Sequence, residues 1–162
     1  MKMNKLKKIG KIITVIMIFV LSLSACSADK NTTDSENIEK TLPQELLDSI
    51  DFEDQLENVD MKVIETMYGI NEDQISSYNV LMSTGATAEE IAVFGINNKD
   101  DKEKVIDALK MRVEDQKSIM ESYKPKEMDK LNKAIIESND NYVILCITGD
   151  EDNAQKIIGK YF

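Results

Sequence analysis

The chain has 162 residues, with 20 Lys and Arg against 30 Asp and Glu, two Cys, and neither His nor Trp. That length suits one modest domain with an appendage, and a 42% hydrophobic share is enough for a core. Without imidazole there is no Ser-His-Asp or Cys-His machinery and no His-ligated metal, and two distant Cys exclude a zinc knuckle or a dense disulfide scaffold.

Residues 1–11 carry Lys2, Lys5, Lys7, Lys8 and Lys11 and no acid. The apolar run Ile12–Leu23 follows, then Leu23-Ser24-Ala25-Cys26. A basic start, a short apolar stretch and small residues at a cleavage point are the three parts of a secretory signal. The run falls short of the roughly 20 apolar residues of a membrane span. The four residues 23–26 resemble the lipobox of bacterial lipoproteins. That resemblance implies a signal peptide over 1–25, a diacylglycerol on the Cys26 sulfur, and a mature chain that begins at Cys26. Five of the 20 bases and none of the 30 acids precede Cys26, so the mature part holds 15 bases, 30 acids and a net charge of −15. Such a surface is repelled by nucleic acid, so no nucleic-acid role is expected.

Ser27–Lys40 is polar and reads as a flexible tether, so residues 26–41 form the lipidated Cys and its spacer and 42–162 the folded domain. Pro43 is placed near the first turn of a short helix with Leu46, Leu47 and Ile50 inward. Asp51–Asn58 is acidic and carries no clear pattern. Asp60 is expected to cap a helix to Tyr68, with Val63, Ile64 and Met67 inward and Gly69 ending it. Ile75–Ser83 alternates as a strand, with Tyr78, Val80 and Met82 against Ser77, Asn79 and Leu81. A turn at Thr84–Thr87 leads to a second strand, Glu90–Ile96. Asp101–Ser122 is a long helix with Val105, Leu109, Val113 and Met120 on one stripe, beside Ile106, Gln116 and Tyr123. Pro125 ends it. A helix is predicted over Lys126–Ser138, a doubly covered strand over Tyr142–Thr148, and a terminal helix over Ala154–Tyr161. The sum is an α+β domain: a small antiparallel sheet of about three strands with helices packed mainly on one face.

Met67-Tyr68-Gly69-Ile70, the stretch Ala86–Phe94, Arg112 with Gln116, Tyr123-Lys124-Pro125 and Asn141–Leu145 together resemble a bacterial lipoprotein family, domain of unknown function 4358, over Ile70–Phe162. The resemblance implies an exported lipoprotein of Gram-positive bacteria, clostridia and their relatives, and implies no activity.

Arg112 is the only Arg, and Gln116 follows it by one turn on the same face. Arg holds a carboxylate by two parallel bonds, so Arg112, Gln116 and Tyr123 are the candidate binding residues, for a carboxylate or peptide terminus or, within the chain, for Glu89, Glu90 or another acid. Adjacent Glu89 and Glu90 point to opposite faces of a strand and do not converge as an acid–base pair. The oxygen-rich loops Asn97–Asp101 and Asp150–Asn153 lack calcium-loop spacing and read as helix caps. Cys146 is expected to be a buried, inert thiol. Met61, Met67, Met82, Met111, Met120 and Met128 read as gap fillers. No catalytic residue, metal or cofactor is expected. The expected function is a lipid-anchored, non-enzymatic binding module on the outer side of the cell membrane, with a protein or peptide partner. The alternative is an envelope enzyme or solute-binding subunit using carboxylates.

Overall fold

The computed structural model describes residues 37–162. The expected signal peptide, Cys26 and most of the expected tether lie outside the described residues. The chain runs α1 (Ile38–Ser49), β1 (Leu56–Asn58), α2 (Met61–Tyr68), β2 (Ile75–Ser83), β3 (Glu90–Ile96), α3 (Lys99–Tyr123), α4 (Met128–Asn132), β4 (Ile135–Ser138), β5 (Tyr142–Ile147) and α5 (Glu151–Ile158). Single 3-10 turns at Glu72–Gln74 and Pro125–Glu127 precede β2 and α4.

All strands pair antiparallel, in the order β1-β2-β3-β5-β4. The domain is α+β as expected, with five strands where about three were read. Met128, Leu131, Ala134 and Ile135 keep a helical spacing that predicts a helix through Ser138. The helix stops at Asn132, and Ile135–Ser138 pairs with Cys146–Val143 instead. The β5 edge supplies the ladder that two adjacent β-branched residues favour. Leu56–Asn58, three residues with an acid in the middle, is a strand because it lies along Ser83–Leu81 of β2.

The helices cover both faces, which corrects the one-face expectation. Ile64, Tyr68, Val105, Leu109, Val113 and Leu131 of α2, α3 and α4 pack on Val80, Ala92, Phe94, Val143 and Leu145. Ile38, Leu42 and Leu46 of α1 and Ala154, Ile157 and Ile158 of α5 pack on Leu81, Ile91, Val93, Ile144 and Cys146. All six residues of β5 are buried, so neither face of the sheet centre could be left to water. Helix α1 starts four residues before the expected Leu42. Ile38 extends the Leu42–Leu46 stripe by one turn and is buried against the sheet, so Pro43 sits inside the helix.

Local signals hold where they are strong. The Asp60 carboxylate accepts from the Val63 N–H at 3.0 Å, and Gly69 ends α2 with φ 68°, a conformation a Cβ disfavours. The face of α2 is rotated from the one read: Ile64 and Tyr68 are buried, and Met67 is 39% exposed.

Candidate functional site

The long helix α3 carries Arg112 and Gln116 across the start of β3. Glu90, the first residue of β3, shares a sheet face with Ala92 and Phe94 and so points at α3. Arg112 Nη2 donates to Glu90 Oε2 at 2.7 Å, and Gln116 Nε2 donates to the same oxygen at 2.8 Å. The Tyr68 hydroxyl donates to Glu90 Oε1 at 2.6 Å. The guanidinium carbon lies 5.5 Å from the Tyr68 ring centre, and that ring meets Phe94 edge-on at 5.8 Å. One carboxylate therefore takes three donors from α2 and α3, and the pair is shut from water.

Burial pulls the Arg112 pKa down, and the Glu90 charge outweighs it, so the net direction is up. Burial, reinforced by the Glu90 charge, pushes the Tyr68 phenol well above its usual range. Arg112 Nε is buried and has no partner.

Above this pair lies a cleft of about 290 Å³, lined by Met67, Met82, Ile119 and Met120 together with Glu90, Arg112, Gln116 and the β2–β3 turn. The turn is pinned from below. Asp54 Oδ2 accepts from Ser83 Oγ at 2.6 Å, from Thr84 Oγ1 at 2.8 Å and from the Thr84 N–H at 2.9 Å, and these bonds, the two hydroxyls foremost, bring its carboxyl down to about 2. Glu89 accepts from the Glu53 and Asp54 N–H groups, Thr87 Oγ1 and Lys130 Nζ. Lys130 also reaches Glu53 at 2.9 Å and Glu127 at 3.2 Å. Burial lowers the Lys130 pKa, and these three carboxylates together raise it further.

Arg112 and Gln116 meet, as the sequence suggested, and their partner is a residue of the chain itself, Glu90. Tyr123 does not join them: it is 74% exposed at the end of α3 and does not line the cleft. Glu89 and Glu90 hold separate donor sets, in keeping with their expected divergence. Sequence reasoning missed Tyr68 and the Met67–Met82 wall. The signal for Tyr68 was its place one turn after Ile64, which puts both on one face of α2. Met111 is 67% exposed, so it is no gap filler.

Of the two oxygen-rich loops, the second caps a helix, Asp150 Oδ1 accepting from the Asn153 N–H at 3.3 Å; in the first, Asn98 precedes α3 without a side-chain cap bond, and Asp101 is held by Lys104 at 2.8 Å. Among the described residues no three of His, Cys, Asp and Glu gather as a metal cage. Cys146 is fully buried, and burial pushes its thiol to about 12. No helix among the described residues is long and apolar enough to cross a membrane.

Residues 48–148 match the family described as domain of unknown function 4358. The match takes in β1 to β5 and starts earlier than the resemblance read at Ile70. The chain belongs to this family. No curated protein and no solved structure matches it.

Proposed function

We propose that this chain is a lipid-anchored protein facing outward from the cell membrane, and that its domain is a non-enzymatic binding module. The anchor reading rests on the basic, apolar and Leu23–Cys26 pattern. Two acyl chains suffice for stable attachment, at roughly 0.8 kcal/mol per buried methylene.

The binding reading rests on one observation: the cleft beside Arg112 is walled by Met67, Met82, Ile119 and Met120, and Ile119 stays 60% exposed. Methionine walls adapt to an apolar side chain of a partner. Arg112 is already neutralised by Glu90, so it forms part of a rigid polar base and does not capture a free anion. The net charge of −15 on the mature chain, derived above, favours a partner with a basic rim around an apolar plug. The two carboxylates at the cleft, Glu89 and Glu90, are each saturated by different donors, an arrangement that supports binding over proton transfer.

Two measurements test this reading. Cys26→Ala is expected to release the protein into the medium or stall its processing; unchanged mature mass and membrane partitioning would refute the anchor. A photocrosslinker at Ile119 in intact cells is expected to capture a protein that the same group at Met111 does not. Equal labelling at both positions, or none, would refute the cleft as the docking site.

A further inference from the structure

A second cleft, of about 400 Å³, lies where the first turn of α1 passes the start of β2. Glu39 and Lys40 line it from the helix, and Ser76 to Asn79 line it from the strand. Two oxygens in its lining residues, Glu39 Oε2 and Asn79 Oδ1, are buried without a hydrogen-bond partner. The Glu39 residue is only 7% exposed. A carboxylate oxygen buried without a donor carries a desolvation cost. The adjacent cation, Lys40, donates to Asn37 Oδ1 at 3.1 Å instead. One unpartnered acceptor on α1 and one on β2 thus belong to residues that line the same cleft.

The chemistry that completes this arrangement is a cation with several N–H donors and no acceptor. A guanidinium is best held by both oxygens of one carboxylate, and here the Tyr142 hydroxyl already engages the Glu39 carboxylate. A divalent cation gathers six or more oxygens, several of them charged, whereas the carboxylates that line this cleft are Glu39 and Glu72. We infer that the cleft binds a primary ammonium group, which donates to Glu39 Oε2 and Asn79 Oδ1. The site is separate from the Arg112 cleft and does not depend on the function proposed there.

The test titrates the full-length chain in detergent with methylammonium chloride and follows the Asn79 side-chain amide and Glu39 carboxylate by NMR. Saturable shifts are expected with methylammonium, and none with tetramethylammonium, which has the charge without the N–H groups. Glu39→Gln is expected to weaken methylammonium binding by roughly tenfold or more, the loss of a charge-assisted bond. Its melting temperature should hold or rise, because the free protein loses a carboxylate oxygen that is buried without a donor; a structural role would lower it. Asn79→Leu provides a second variant with the same expectation for binding. Tighter binding of acetyl-lysine amide assigns the ammonium to a lysine side chain, tighter binding of triglycine assigns it to a chain terminus, and equal binding of both assigns it to free amines. The inference is overturned if methylammonium produces no saturable shift or if tetramethylammonium acts equally. It is also overturned if calcium chloride displaces the amine or if Glu39→Gln binds as well as the native chain.

Discussion

The Glu90–Arg112 pair gives a quantitative test of how this domain is held together. Its side chains are 1% and 8% exposed, so neither charge can fall back on water. Arg112→Met leaves the Glu90 charge in the core with only Tyr68 and Gln116 as donors. Glu90→Gln leaves the guanidinium there with no counter-charge. Removing one partner of a buried pair costs about 3–5 kcal/mol. The double variant carries no charge, and the Gln carbonyl that it places at position 90 can still accept from Tyr68 and Gln116. Its loss should be about 1–2 kcal/mol, one net hydrogen bond and some packing. Independent sites would instead sum to about 6–10 kcal/mol, so the coupling expected is at least about 4 kcal/mol. Urea unfolding followed by circular dichroism measures all four proteins. Single variants that each lose less than about 1 kcal/mol, or a double variant equal to their sum, would refute the buried network as a stabilising unit.

Two further outcomes follow from groups elsewhere in the fold. Asp54 is held at about 2 against an ordinary 3.8, so its contribution is present above pH 3.8 and is lost as the pH falls toward 2. Asp54→Asn should therefore flatten the acid limb of stability in that window, and an unchanged limb would count against the Ser83–Thr84 clamp. The Cys146 thiol, raised to about 12 from 9.0, favours its protonated form in the fold, so the stability it adds is lost as the pH rises above 9. In the native protein at pH 8, iodoacetamide should leave Cys146 unlabelled by mass spectrometry until urea is added; rapid native labelling would show that the strand is open.

Elements with a strong local signal were legible in advance. Helix α3 announces itself by an apolar stripe sustained over several turns, β2 and β3 by alternation around a small-residue turn, and α2 by an acidic cap and a terminal glycine. Each of these signals acts between residues a few positions apart, where backbone preference and side-chain period suffice. Lone Arg112 above Gln116 stood out for the same reason. The identity of its partner did not, because Glu89 and Glu90 are neighbours, and only the pleat and the placement of α3 choose between them.

What only the tertiary structure decided is what depends on a distant edge or face. Leu56–Asn58 is a strand because β2 lies beside it, and Ile135–Ser138 leaves a helical pattern because β5 offers a ladder. Ile38 joins α1 because the far face of the sheet needs cover. Tyr68 and Glu90 meet across 22 positions of sequence for the same kind of reason. By itself the amino-acid order determined the acidic character of the chain after Cys26, the motif around Cys26, the α+β class and the strongest helices and strands. The sheet order, the two helical layers and the clefts came from packing, because burial is a property of the assembled chain and no short window of residues contains it.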